Sequence, residues 1–217
     1  TKRLPFKAAE KEKPDMKVLL LSCNTGEGHH SAALAVEAEL QSRNIPCQLV
    51  DPMSFASDAT RDRVCNAYNS LIRNMPNAFG LIYKAGEHAD GLWPHSPVYL
   101  ANSLYADKLL AYIQENQFDT VISTHLFGME AMTAIAKKFG VHIPTYAVLT
   151  DYTCIPFFTD VKMDGYFIPH KDLIPELTQK GLDAAILYPT GIPVSPNFAQ
   201  RLEMTAARER LSLPAEK

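Results

Sequence analysis

Residues 17–31 read KVLLLSCNTGEGHHS, and this stretch decides the fold. Its apolar run VLLL has no polar interruption, which is typical of a parallel strand buried on both faces. Gly26 and Gly28 predict a sharp turn at which the backbone comes close to another group. Residues 29–43 are helical by composition. Strand, glycine loop and helix start together predict an anion site, because unpaired backbone N–H groups point outward at a helix N-terminus.

Two histidines, His29 and His30, lie at the start of this predicted helix. A neutral histidine at such a place can act as a base or as a hydrogen-bond partner. Adjacent helix positions face different ways, so at most one of the two points into a cleft. His29 is the preferred candidate because it lies closer to the glycines.

Composition limits the classes of protein that the chain can belong to. Its 217 residues are enough for one domain or at most one and a half, and 47% of them are apolar. A net charge of −3 gives no electrostatic reason to expect a nucleic-acid partner. The sequence has no run of 18 apolar residues and no apolar segment near its start, so neither a membrane span nor a secretory signal is predicted.

The four cysteines predict thiols in a reducing compartment and no metal site. Their spacing shows no CxxC or other ligand-like pattern. They are Cys23, Cys47, Cys65 and Cys154.

Apolar runs alternate with helical segments along most of the chain. The predicted strands are 18–21, 47–51, 120–123, 145–149, 165–168 and 185–188. The predicted helices between them include 57–75, 96–116, a helix from about Gly128 to Gly140, and one that ends at Gly181. This alternation predicts an α/β fold with a doubly wound, mostly parallel Rossmann-like sheet. Residues 1–15 are expected to form a disordered tail, 16–198 the Rossmann-like domain, and 199–217 a helical linker.

Polar residues follow the predicted strands, where open α/β sheets bind their ligands. The candidates for the site at this edge are Asn24, His29, Asp51, Thr124, His125, Thr150, Asp151, Thr190 and Gly191. Asp151 either orients a hydroxyl or a histidine, or it caps a turn. His125 either contacts a ligand or is a hydrogen-bonded structural histidine.

A dinucleotide site is the competing interpretation of the glycine loop. Gly26-x-Gly28-x-x-Ser31 partly matches the Rossmann fingerprint, and Asp51 ends the second strand, where a ribose-binding acid is expected. Ser31 departs from the fingerprint, Glu27 adds negative charge to the loop, and Asp51 is equally suited to cap the next segment. The sequence contains no GxSxG, P-loop, HExxH or DxD motif, which argues against hydrolases, nucleoside triphosphatases and metalloproteases.

Residues 77–94 are rich in aromatic and apolar side chains but poorly periodic. Phe79, Tyr83 and Trp93 belong to this segment. Long irregular insertions often carry function, and Trp-bearing segments can contact lipid. These three residues therefore either pack in the core or contact an apolar acceptor or a membrane.

Four motifs in a fixed order carry a resemblance to a known family. They are NTGEGH (24–29), STH (123–125), IPTYAVLTDY (143–152) and TGIPV (190–194) followed by Pro196. Over residues 16–198 the chain resembles the N-terminal domain of the monogalactosyldiacylglycerol synthase and processive diacylglycerol glucosyltransferase family. Plant-type members carry three glycines before the histidine, where this chain has Gly-Glu-Gly.

The resemblance implies half of a GT-B glycosyltransferase that transfers a hexose from a UDP-sugar to diacylglycerol without a cofactor. In that family the N-terminal domain binds the lipid acceptor and an anionic membrane surface at the cytoplasmic face. A C-terminal domain, absent from this chain, binds the UDP-sugar. By the same analogy His29 faces the cleft as the base, and His125 and Asp151 line the acceptor side. The chain alone is not expected to catalyse transfer.

Two alternatives remain open from the sequence. The chain could be a lipid-binding or regulatory module that keeps the fold without catalysis. It could also be a Rossmann domain for a nucleotide cofactor.

Overall fold

A computed structural model describes residues 16–23, 27–57, 95–155, 158–199 and 202–214. The strands in these ranges are β1 (Val18–Leu21), β2 (Cys47–Val50), β3 (Thr120–Ser123), β4 (Thr145–Val148), β5 (Gly165–Ile168) and β6 (Leu187–Pro189). The α-helices are α1 (Glu27–Ser42), α2 (Pro97–Ser103), α3 (Ala106–Glu115), α4 (Leu126–Phe139), α5 (Ile174–Gln179) and α6 (Met204–Arg210). None of the helices in these ranges is long and apolar enough to cross a membrane.

The strands form one parallel sheet in the order β2-β1-β3-β4-β5-β6, which confirms the predicted doubly wound α/β fold. From β1 the chain moves to β2 on one side, and then crosses back to β3 on the other side of β1. The connections that follow β1 and β3 therefore diverge. The crevice between them is the topological switch point, where open α/β sheets bind ligands.

The central position of β1 explains its uninterrupted apolar sequence. Each of its four residues is at most 1% exposed. Leu19 and Leu21 belong to the core beneath α3 and α4. Side chains alternate along a strand, so Val18 and Leu20 lie on the opposite face, where α1 packs.

Gly128 allows α4 to lie directly against the sheet. A Cβ atom at this position would lie 2.5 Å from the Ser123 hydroxyl and 2.9 Å from the Leu21 Cβ. A side chain here would therefore push α4 away from β1 and β3. Because α4 begins next to the switch point, this close packing also fixes the position of the helix start.

The predicted single helix over 96–116 is wrong, since the segment forms two helices, α2 and α3. Ser96 caps α2 as expected, because its hydroxyl accepts a hydrogen bond from the Tyr99 N–H at 2.9 Å. The break comes at Leu104, whose N–H bonds to the Ala101 carbonyl in a tighter turn. This turn leaves Leu104 exposed while the Tyr105 side chain is buried.

Other predicted boundaries shift by one to three residues. Helix α4 begins at Leu126 rather than Gly128, because His125 caps it, and it ends at Gly140 with φ of 64°. Strand β6 begins at Leu187, since Ala184–Ile186 form a 3₁₀ turn capped by Asp183. Within the linker predicted over 199–217, only α6 is helical among the described residues.

Several predictions lie outside the described residues. They concern the tail 1–15, the helix 57–75, the aromatic side chains Phe79, Tyr83 and Trp93, and Cys65. The described cysteines, Cys23, Cys47 and Cys154, carry thiols rather than disulfides.

Candidate active site at the switch point

His29 lies in the first turn of α1 and contacts the ends of two strands. Its Nδ1 is 2.9 Å from the backbone oxygen of Thr124, which follows β3. The same nitrogen is 2.8 Å from the hydroxyl oxygen of Thr150, which follows β4. The structure therefore brings together three residues that the sequence predicts at this edge, and it does so at the switch point.

The backbone oxygen of Thr124 decides which nitrogen of His29 carries hydrogen. A carbonyl oxygen can only accept, so Nδ1 must be the donor in this contact. In the neutral imidazole the lone pair then belongs to Nε2. Nε2 makes no hydrogen bond within the described part of the chain. The His29 ring is thus held by the hydrogen bond from Nδ1, and its other nitrogen, Nε2, can accept a proton.

His125 packs against His29 and stays neutral. The two ring centroids are 4.9 Å apart, and the rings meet edge to face at 78°. Burial, with a smaller contribution from His29, lowers the pKa of His125 to about 3. The Nδ1 atom of His125 accepts a hydrogen bond from the Phe127 N–H at 3.3 Å, so its hydrogen is on Nε2. His125 therefore caps α4 as a hydrogen-bonded structural histidine and packs against His29, while a contact with a ligand stays a prediction.

We call His29, Thr124, His125 and Thr150 the switch-point cluster. Within the described residues, three buried polar atoms beside it have no hydrogen-bond partner: Ser22 Oγ, Thr124 Oγ1 and His30 Nδ1. Ser22 and Thr124 are each 2% exposed and follow the neighbouring strands β1 and β3. Leaving such a group buried and unpaired costs about 1–3 kcal/mol, so a ligand that pairs with it would recover that energy. Ser22 was missed from the sequence, although it is the first polar residue after the buried strand.

Gly28 differs from Gly128, where close packing against the sheet leaves no room for a side chain. A Cβ atom added at Gly28 would meet no atom of the described residues within 4 Å. Neither packing nor a positive φ therefore explains a glycine at this position. Asn24 and Gly26 of the same loop lie outside the described residues.

Asp151 lies next to Thr150 but does not join the switch-point cluster. It is half-buried and makes no hydrogen bond to either histidine within the described residues. It lines a small surface pocket. The other residues around this pocket are Leu149, Thr153, Cys154, Ile155, Phe158 and Leu177. A catalytic role for Asp151 stays a prediction.

The remaining candidates lie further from His29. Thr190 and Gly191 follow β6, which is three strands from β3 and therefore about 14 Å away across the sheet. Asp51 caps a 3₁₀ turn, because its side chain accepts a hydrogen bond from the Met53 N–H at 2.9 Å. The described residues contain no group of three or more His, Cys, Asp or Glu side chains that could hold a metal ion.

Comparison with known proteins matches the chain to one family. The family model described as monogalactosyldiacylglycerol (MGDG) synthase matches residues 29–194. The chain is 27% identical over 179 residues to the uncharacterized glycosyltransferase YkoN of Bacillus subtilis, covering 82% of this chain and 47% of that protein. It is 24% identical to a processive diacylglycerol beta-glucosyltransferase of Bacillus cytotoxicus, covering 93% and 51%. It is also 24% identical to the chloroplastic monogalactosyldiacylglycerol synthase of Spinacia oleracea, covering 91% and 38%.

The chain spans about half the length of the curated bacterial relatives it matches, and less of the plant protein. Among solved structures it is similar to the apo form of the lipopolysaccharide outer core galactosyltransferase WaaB. The TM-score is 0.46 and the identity 13%, and the match covers 79% of this chain and 44% of that one. On the family match over residues 29–194, the chain belongs to the monogalactosyldiacylglycerol (MGDG) synthase family.

Proposed function

We propose that the chain is the acceptor-binding half of a glycosyltransferase that moves a hexose from a UDP-sugar to diacylglycerol. A second domain would hold most of the UDP-sugar, since the bacterial relatives are about twice as long as this chain. The printed names of those relatives support the class of acceptor. The observation that carries the proposal is the position of His29, held through Nδ1 at the switch point with Nε2 unpaired among the described residues.

In the proposed reaction His29 is the general base. The acceptor hydroxyl oxygen attacks the anomeric carbon of the sugar, and the bond from that carbon to the UDP oxygen breaks. The hydroxyl proton moves to Nε2 of His29, and UDP leaves with the bonding electron pair. The hydrogen bond from Nδ1–H to the Thr124 carbonyl is present both before and after this proton transfer. The site therefore needs no rearrangement when His29 becomes charged.

The unpaired groups near α1 have a proposed role in the same reaction. The N-terminus of this 16-residue helix carries partial positive charge, which favours the negative charge that develops on the leaving phosphate. The hydroxyls of Ser22 and Thr124 can donate to the same oxygens or to the acceptor. The open space at Gly28 lets a ligand approach the backbone at the helix start.

The test uses the intact protein, with its second domain, and vesicles that contain diacylglycerol and anionic phospholipid. The variant His29→Ala removes the base, and we expect kcat to fall by about 10²–10⁴-fold. His142→Ala is the matched control, because His142 is an exposed histidine beside Asp164. Glycolipid formation from a radiolabelled UDP-sugar is the measurement.

A His29→Ala protein with wild-type turnover would show that His29 is not the base. Binding of the intact wild-type protein to the same vesicles is measured by flotation. If the protein floats with the vesicles but forms no glycolipid with any UDP-hexose, the chain is a lipid-binding module and the glycosyltransferase proposal fails.

A further inference from the structure

Thr150 reaches His29 from a strand that is not adjacent to β1. Strand β3 lies between β1 and β4 in the sheet. Thr150 follows β4, at the same edge of the sheet as Thr124. Its hydroxyl oxygen nevertheless lies 2.8 Å from His29 Nδ1, slightly closer than the Thr124 carbonyl at 2.9 Å. One nitrogen of His29 therefore faces two oxygens from two different strands.

We propose that Thr150 is a positioning residue that, together with the Thr124 carbonyl, stabilises the Nδ1–H tautomer and the ring orientation of His29. With hydrogen on Nδ1, this N–H points between two acceptors and forms a three-centre hydrogen bond. If the ring turned by 180° about the Cβ–Cγ bond, a carbon atom would face both oxygens, and both interactions would be lost. The catalytic consequence rests on the proposed role of His29 as the base.

The side chain of threonine suits this task better than a more flexible hydroxyl. Its β-branch restricts χ1, so the hydroxyl keeps its direction without help from further partners. The wall formed by His125 limits the other movement of the ring, because the two imidazoles are in edge-to-face contact. Since His125 is buried and neutral, it adds no charge that would repel a protonated His29.

The first experiment reads the tautomer directly. Nitrogen-15 NMR of histidine-labelled protein distinguishes the two neutral tautomers, and the variant His29→Gln assigns the signal. The wild type is expected to show hydrogen on Nδ1 of neutral His29. Thr150→Val keeps the shape but removes one of the two acceptors, and we expect the Nδ1–H form to lose part of its population although the Thr124 carbonyl still favours it. Thr150→Ser restores the acceptor and should return most of the population to the Nδ1–H form.

A matched control separates this effect from a general disturbance of the loop. Thr153→Val removes another hydroxyl of the same loop, one that contacts Glu176 and not His29. The tautomer of His29 should be unchanged in this variant. If Thr150→Val does not fold, judged by its thermal unfolding, Thr150→Ala provides the same loss of the acceptor in a smaller side chain.

The second experiment measures kinetics in the intact protein. Loss of one hydrogen bond that orients the base is expected to lower kcat by about 3- to 10-fold in Thr150→Val. The KM values for the UDP-sugar and the lipid should stay within twofold, and Thr150→Ser should recover most of kcat. A merely structural role would instead change stability and leave the tautomer as it is.

The outcomes separate this inference from the proposed function. An unchanged tautomer and an unchanged kcat in Thr150→Val would overturn the positioning role. A shifted tautomer in Thr150→Val, combined with full activity in His29→Ala, would support the positioning of the ring. The same result would reject His29 as the base.

Discussion

Two groups of buried polar side chains lie in this domain, and they differ in how completely they are paired. The first is the switch-point cluster around His29. The second, which we call the Glu130 cluster, consists of Glu130, Asn102, Tyr105 and Ser96. It holds α2 against α4 beneath the sheet.

In the Glu130 cluster the polar groups are paired with one another. The Glu130 side chain is fully buried, and its Oε2 accepts a hydrogen bond from the Asn102 amide at 2.5 Å. The Tyr105 hydroxyl donates to the Asn102 carbonyl oxygen at 2.7 Å. The Ser96 hydroxyl lies 3.5 Å from the other oxygen of Glu130.

The switch-point cluster is less buried, since His29 and Thr150 are half-buried, and its hydrogen bonding is incomplete. Among the described residues, Nε2 of His29 and the hydroxyl of Thr124 have no hydrogen-bond partner, and neither has the hydroxyl of Ser22 at the end of the neighbouring strand β1. A closed polar network stabilises and specifies packing, whereas unpaired groups cost stability unless something else binds them. The comparison shows that the candidate site is marked by buried hydroxyls without partners, whereas the buried polar groups of the scaffold are paired with one another.

The largest effect that we expect concerns Glu130, which should make the free energy of unfolding depend on pH. Burial raises the pKa of Glu130 from 4.5 to about 8, so the folded state keeps its proton where the unfolded chain has lost it. Between pH 4.5 and 8 the folded state binds more protons, and stability therefore falls as the pH rises. The slope approaches about 1.4 kcal/mol per pH unit, and the fall totals on the order of several kcal/mol.

Urea unfolding measured from pH 4.5 to 9 checks this prediction. Glu130→Gln keeps the shape and cannot ionise, so this variant should lose the slope assigned to Glu130. A Glu130→Gln protein with the same slope as the wild type would show that Glu130 is not the group responsible.

His125 predicts a slope of the opposite sign at lower pH. Burial lowers the pKa of His125 from 6.5 to about 3. Between these pH values the histidine is protonated in the unfolded chain but neutral in the folded state. Stability is therefore full above pH 6.5 and falls as the pH drops toward 3, again by up to about 1.4 kcal/mol per unit. His125→Asn preserves a side-chain acceptor for the cap of α4 and should remove this slope.

The control for His125 is a histidine at the surface. His142→Asn changes an exposed side chain and should keep the acid slope of the wild type. If both asparagine variants retain the slope, other groups cause the loss of stability in acid. The two clusters would then not be distinguished by the direction of their pH dependence.

Removal of one member should weaken the Glu130 cluster strongly. Asn102→Ala leaves the Glu130 carboxyl without its amide donor and the Tyr105 hydroxyl without its acceptor, both in the core. We expect the free energy of unfolding to fall by about 2–4 kcal/mol. Asn116→Ala is the control, because within the described residues the Asn116 side chain bonds only to the Tyr112 carbonyl, one turn earlier. Equal losses in the two variants would contradict a special contribution of the Glu130 cluster.

Sequence patterns predicted the fold well for physical reasons. The apolar run of β1 is central in a parallel sheet and must be buried on both faces, which leaves a clear signal. Residues after strands meet at one edge of such a sheet, so His29, His125 and Thr150 could be assigned to a common region. The sequence did not show which of the edge residues touch, because β1, β3 and β4 are distant along the chain.

The errors have equally physical causes. The break between α2 and α3 depends on the burial of Tyr105 beside Asn102, and that contact involves tertiary packing against α4. Thr190 was predicted at the same edge of the sheet as His29; the structure places β6 three strands from β3, and a role for Thr190 in the site stays a prediction. Ser22 was overlooked because an unpaired hydroxyl leaves no pattern in sequence; only the structure shows its lack of a partner.

Ser22 and Ser123 give the finest test, because they differ mainly in pairing. Both are buried serines at the ends of neighbouring strands. The Ser123 hydroxyl bonds to the backbone oxygens of His125 and Leu21, while that of Ser22 has no partner in the described chain. Ser123→Ala should therefore lower the free energy of unfolding by about 1 kcal/mol. Ser22→Ala removes an unpaired buried hydroxyl, and we expect stability to stay the same or rise by up to about 1 kcal/mol.

Urea unfolding of the two alanine variants at pH 7 provides the comparison, with activity of the intact protein measured alongside. If the Ser22 hydroxyl is kept for a ligand, Ser22→Ala should lose activity without losing stability, a combination that a structural hydroxyl does not produce. If instead Ser22→Ala loses as much stability as Ser123→Ala, the Ser22 hydroxyl is paired in solution. The Ser22 hydroxyl would then belong to the paired scaffold, and it would no longer mark the site.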